Sequence, residues 1–126
     1  MKSARQKTGK RGEDEACRYL EQLGHTIIAR NWRSGRVELD IISYAPDGLH
    51  IVEVKSRTAP VIAAPEVNVN YAKKRNLVTA AQRFLNGEGL GRFPNAEVFF
   101  DVLTVVFDGE DAIIEYYPAA FIPMYY

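Results

Sequence analysis

With only one cysteine, Cys17, the chain can form no internal disulfide, and a site built from several thiolates is excluded. It also lacks any apolar run approaching the length that crosses a bilayer, and its Lys- and Arg-rich start is not followed by the apolar stretch of a secretory leader. A cytoplasmic protein without a membrane partner is expected. Its two histidines, His25 and His50, have no second metal-binding partner at useful spacing, so neither is expected to be a ligand. The most one-sided absence is of positive charge: no Lys or Arg follows Arg92. All sixteen basic residues lie at or before that position with ten acidic ones, and six acidic residues follow, so a net charge of zero hides two halves of opposite sign. A phosphate backbone would be drawn to the first part, at Lys2, Arg5, Lys7, Lys10 and Arg11, then Arg30, Arg33 and Arg36, then Lys73, Lys74 and Arg75. Taken singly, each cluster also reads as solvated surface charge.

What is present describes one ordinary globular domain. At 126 residues, 47% hydrophobic and 25% charged, the chain is long enough for one core, so 1–126 reads as a single domain with a basic arm, 1–11, that has room to be flexible. From Gly12 to Leu23 the residues Ala16, Cys17, Tyr19, Leu20 and Leu23 recur at helical spacing, and Gly24 closes the helix. Glu13 falls on that same stripe, which points it toward the core; complementing the helix dipole is the plainer reading. A first strand spans 27–33 and an irregular segment 58–70. A helix over 71–86 is capped by Asn70, carries an inward stripe of Leu77, Val78, Ala81, Phe84 and Leu85, and ends at Gly87. Strands 97–107 and 112–117 follow. A strand, helix, strand run favours a parallel crossover, hence a mixed sheet. Asp101 interrupts an apolar strand and is expected to pair with an arginine. Trp32 could stack on a base, although a core anchor is the better reading. The tail 121–126 is too apolar for a linker and should pack on the core or on another subunit.

The informative stretch is Val37–Arg57: V-E-L-D-I-I-S-Y, the turn A-P-D-G, then L-H-I-V-E-V-K-S-R. Proline presets φ and glycine accepts φ > 0, so a hairpin is expected. Alternation puts Val37, Leu39 and Ile41 on one face and Glu38, Asp40, Ile42 and Tyr44 on the other. Glu53, Lys55 and Arg57 alternate with Val52 and Val54 on the next strand. A two-residue loop would set Asp40 opposite Lys55 and a four-residue loop opposite Glu53. Carboxylates side by side repel unless a cation sits between them, and magnesium suits one or two carboxylates, water and phosphate oxygens. Lys55 would add positive charge to a phosphoryl transition state. Solvated cross-strand ion pairs are the commoner meaning of such residues, but this face is apolar for half its length.

These residues resemble the core of the PD-(D/E)XK nuclease superfamily: Asp40, then Glu53-Val54-Lys55 thirteen positions on. Together with Gly12-Glu13, Ala16, Tyr19-Leu20, Arg30-Asn31-Trp32-Arg33, Glu38-Leu39-Asp40, Ser56-Arg57 and Lys73, they are similar to the YraN-type family, an uncharacterised bacterial family related to the archaeal Holliday junction resolvases. The resemblance implies an α/β, restriction-endonuclease-like three-layer fold, a central mixed sheet flanked by helices. It implies a structure-selective endonuclease hydrolysing phosphodiester bonds in branched or structured DNA, in repair or recombination. Asp40, Glu53 and the Val54 carbonyl would hold Mg²⁺, with Mn²⁺ as a substitute. Lys55 would position water or neutralise charge, and Glu13 would complete an acidic cluster that also draws on Glu38. Arg11, Arg30, Arg33, Arg57, Lys73 and Arg75 would meet DNA. Enzymes of the resembled kind are two-fold dimers, so a homodimer is expected. The chain departs from the family pattern at Ala59-Pro60-Val61-Ile62 and at Gly35-Arg36-Val37-Glu38, which bears on loop conformation and substrate choice. Two other readings compete: a nucleic-acid-binding module without turnover, and a protein-interaction factor whose acidic second half meets a basic partner.

Overall fold

A computed structural model describes residues 3–61 and 67–123. Helix α1 (Ala4–Gln22) is followed by strands β1 (Thr26–Ser34), β2 (Val37–Ala45) and β3 (Gly48–Thr58), helix α2 (Tyr71–Asn86) and strands β4 (Val98–Asp108) and β5 (Asp111–Phe121). The sheet order is β1-β2-β3-β4-β5, antiparallel throughout except for β3 beside β4, which run parallel across the α2 connection. The expected α/β class, mixed sheet and crossover are therefore observed.

Two apolar clusters, one on each face of the sheet, make the three layers. Ala16, Cys17 and Leu20 of α1 pack on Ile41, Val52, Leu103, Val105 and Phe107. Leu77, Val78, Ala81 and Phe84 of α2 pack on Leu39, Ile42, Leu49, Ile51, Phe100 and Val102. The α2 stripe is the one its period predicts, and Asn70 caps it by accepting from the Lys73 amide at 2.8 Å. α1 starts two turns earlier than its apolar stripe, at Ala4, because Ser3 and Gln6 form a reciprocal capping box. Most of the basic arm is thus helical, and Leu23, expected on the stripe, is exposed.

Gly12 sets how closely α1 lies on the sheet. A Cβ there would stand 1.7 Å from the Ser56 hydroxyl, so only glycine admits the approach that brings Glu13 toward the strands.

Two expectations for the hairpin are corrected. Its loop has two residues, Pro46 and Asp47, yet the Ala45↔Gly48 pair that closes it runs on to Ile41↔Val52, which sets Asp40 level with Glu53 instead of Lys55. The faces of β2 also do not alternate uniformly: Leu39 belongs with α2 and Ile41 with α1. The reason lies in β1, where Asn31 has φ +51. The register is the same at Arg30↔Ile41 and Trp32↔Leu39, with Asn31 and Asp40 between them, and the strands change face there; the register shift of β1 lies earlier, between Ile27 and Ala29. Arg30 turns to α1, bonding Asp14 at 2.8 Å, while Trp32 turns to α2 and packs edge-on to Phe84. Trp32 is therefore a core anchor.

Of segment 58–70, residues 62–66 lie outside the described residues, as do 124–126 of the apolar tail. Phe121, at the head of that tail, stacks on Phe100 at 5.1 Å.

Candidate metal centre and nucleic-acid surface

Asp40 sits where β2 leaves β3. One residue past the last paired position its side chain takes over from the backbone, its Oδ2 accepting the Val54 N–H at 2.9 Å. Glu53 is the neighbour on β3, and its side chain is only 13% exposed. Burial first, and the Glu53 charge second, push the Asp40 carboxyl up to about 7, against the Val54 amide and Lys73, which pull it down. Two carboxyls set this close, where water is scarce, oppose each other's charge. Lys73, on the first turn of α2, reaches Glu53 Oε2 at 3.4 Å. The Lys55 ammonium donates to the Asn68 carbonyl at 3.4 Å, just ahead of α2.

Glu13 stands on the α1 side. Its Oε2 accepts from Asn31 Nδ2 at 2.9 Å and lies 3.7 Å from the Arg30 guanidinium. Burial raises its carboxyl most, Asn31 lowers it, and the Asp40 charge raises it again. Among the described residues no three His, Cys, Asp or Glu side chains come close enough to hold a metal between them, so Glu13 flanks the Asp40–Glu53 pair without joining it.

The donor set nevertheless fits a hard cation of the magnesium class. Such an ion needs only one or two carboxylates because it keeps several waters, and the burial and Glu53 charge that raise Asp40 mark the place where positive charge is wanted. The Val54 carbonyl belongs to the same strand segment.

The other expected residues divide. Glu38 is not part of the acidic group; it is exposed and paired with Arg33 at 2.9 Å. Lys10, Arg30 and Arg33, with Gln6, Gly9, Glu13 and Asn31, line a recess of about 520 Å³ between α1 and β1. Arg57, with Arg5, Thr8, Ser56 and Thr58, lines a second recess of about 360 Å³ on the other flank of α1. Arg11 lies over the Phe107 ring at 4.0 Å, and Arg75 is exposed on α2. Sequence reasoning missed Asn31 as the partner of Glu13. The available signal was an asparagine, a residue tolerant of φ > 0, in a strand pattern.

Asp101 is a second correction. It binds no arginine: its Oδ2 accepts from His50 Nδ1 at 2.6 Å and from the Tyr116 hydroxyl, and its Oδ1 from the Ala119 amide at 2.8 Å. His50 Nε2 donates to Asp47 at 2.7 Å. A ring between two carboxylates is favoured in its protonated form, and its pKa is raised accordingly. This network ties the hairpin turn to β4 and β5, three residues along β3 from Glu53.

Comparison with known proteins places the chain. The model of the uncharacterised protein family UPF0102 matches residues 12–105. The chain belongs to that family. A UPF0102 protein of Desulforamulus reducens is 39% identical over 116 residues, covering 91% of this chain and 93% of its own. Another member, from Nitratidesulfovibrio vulgaris, is 46% identical over 85 residues, 68% of this chain and 63% of its own. Family membership thus agrees with the resemblance read from the motifs. Among solved structures, the chain is similar to Hjc, a Holliday junction resolvase of Archaeoglobus fulgidus, with a TM-score of 0.46 and 18% identity over 87% of this chain and 76% of that one. It is also similar to SfsA of Pyrococcus furiosus, with a TM-score of 0.40 and 16% identity over 85% of this chain and 62% of that one. Among the described residues no helix is long and apolar enough to cross a membrane.

Proposed function

We propose that the protein is a magnesium-dependent endonuclease that hydrolyses phosphodiester bonds in DNA, selecting branched or otherwise structured DNA in repair or recombination. The observation that carries this reading is the Asp40–Glu53 pair at the β2–β3 divergence, with the Val54 amide on one carboxyl and Lys73 on the other. An acid pair kept half-buried next to a cationic recess costs stability that a folding role alone does not require.

Asp40, Glu53 and the Val54 carbonyl would hold Mg²⁺, and Mn²⁺ would serve in its place. When bound, the ion supplies Lewis acidity, which lowers the pKa of a water and offsets phosphate charge. The chain's own residues do the rest. Lys55 and Lys73 place two ammonium groups by β3, where they stabilise negative charge building on the phosphoryl oxygens. Val54 N–H fixes the Asp40 carboxylate beside Glu53. Arg30, Arg33 and Lys10 hold the flanking backbone in the recess beside α1. A two-fold dimer would give one such site to each of two equivalent strands, and light scattering after size exclusion counts the subunits.

A non-catalytic nucleic-acid-binding module is the second reading, favoured by one observation: Lys73 already neutralises Glu53, as it would in a site that never loads an ion. Purified protein incubated with branched and linear DNA and Mg²⁺ or Mn²⁺, beside Asp40→Ala, separates the two. Metal-dependent cleavage lost in the variant supports the enzyme, and salt-sensitive binding without cleavage supports the module. If neither DNA nor RNA binds at low salt, an interaction factor that keeps the nuclease fold takes precedence.

A further inference from the structure

Asn31 is an oddity of β1. It is a non-glycine residue at φ +51 inside a strand, it lies between the Arg30↔Ile41 and Trp32↔Leu39 pairs as Asp40 does on β2, and its side-chain amide donates to Glu13 at 2.9 Å. A side chain in the left-handed region costs energy that is accepted only where the surroundings demand it. Two demands are visible. The change of face at Asn31 sends Arg30 to α1 and Trp32 to α2, so it fixes both walls. The amide meanwhile occupies the Glu13 oxygen that also lies 3.7 Å from Arg30. Glu13 feels the Asp40 charge yet stays outside the distance at which three acids close on an ion.

We infer that Asn31 is a positioning residue: it holds Glu13 as the outer carboxylate of the cation site, a partner for the hydration shell of a divalent ion instead of a direct ligand. The inference rests on the metal-dependent reading above and assigns Glu13 a different place from Asp40 and Glu53. A strongly hydrated ion retains several waters, and carboxylates that receive those waters tune its affinity as ligand-orienting groups do. Arg30 alone cannot do this, since its guanidinium is shared with Asp14 at 2.8 Å.

The test is a double-mutant cycle on Mn²⁺ affinity, read by titration calorimetry and by the electron paramagnetic resonance signal of the bound ion. Asn31→Gly removes the amide and keeps a residue at ease at φ +51, so the fold is preserved. In the native background Asn31→Gly should weaken Mn²⁺ binding about tenfold, the scale for groups acting through a ligand's partner. In a Glu13→Gln background it should change nothing, because the group it acts through is gone. Equal losses in both backgrounds, or none in either, overturn the inference and leave the metal site standing. No Mn²⁺ binding by the native protein overturns the metal reading and this inference together.

Discussion

At the scale of single residues, the site is defined by where charge is tolerated. Asp40→Asn keeps an oxygen that can accept the Val54 amide while removing the charge that Glu53 opposes. It should abolish metal-dependent cleavage while keeping thermal stability within about 1 kcal/mol of native or raising it, since sites held for function are relieved by such changes. Calorimetric melting beside a cleavage assay checks both halves. His50 carries the pH dependence. Burial alone would lower its pKa, but the hydrogen bonds to Asp101 and Asp47 outweigh it and raise the ring above its ordinary value of 6.5. A base raised on folding stabilises fully below its unfolded value and loses that contribution as pH climbs through the folded one. The stability gap between the native protein and His50→Gln should therefore be widest below about pH 6.5 and narrow at higher pH, as urea midpoints across that range would show. Asp40 and Glu53 were legible beforehand because an acid in an apolar strand stands out. Glu38 misled for the same reason: its solvent-facing bond to Arg33 has no sign in the sequence.

At the scale of elements, helix α1 is the part whose placement matters most. Gly12→Ala adds helix propensity worth about 1 kcal/mol but sets a Cβ 1.7 Å from the Ser56 oxygen. Overpacking of that kind costs about 1–3 kcal/mol, so the clash wins and α1 lifts off β3, carrying Glu13 with it. Chemical denaturation should show the loss, and Ser56→Gly in the same chain should recover part of it. Both helices and all five strands could be read from period, caps and turns. The faces of β2 could not, because they change at Asp40 beside Asn31, and an asparagine in a strand pattern permits a φ of +51 without requiring it. The early start of α1 was likewise hidden: its first two turns are charged, and only the pairing of Ser3 with Gln6 betrays them.

At the scale of the whole molecule, charge and layering agree. The basic residues gather on α1, β1, β3 and α2, and β4 and β5 carry the acidic remainder. DNA affinity should therefore fall linearly on a log–log plot as salt rises, with Arg75→Ala lowering the slope by about one and weakening all sequences alike. A slope unchanged in that variant would remove α2 from the contact surface. The mixed character of the sheet followed from one strand, helix, strand run and its parallel crossover, so it was accessible without coordinates. The Asp101–His50–Tyr116 network was not, since it joins residues up to 66 positions apart in three strands, which only the folded sheet brings together.

Where β2 peels away, the main-chain ladder ends and a carboxylate finishes it by receiving the Val54 proton. Chemistry and architecture are thereby coupled at one atom. Amide exchange at Val54 becomes a reporter of the acid pair: it should stay slow in Asp40→Asn and quicken sharply in Asp40→Ala, while changes at Glu53 leave it alone. A descendant of this protein could shed Glu53 and remain intact, but shedding Asp40 would unzip the strand beside it.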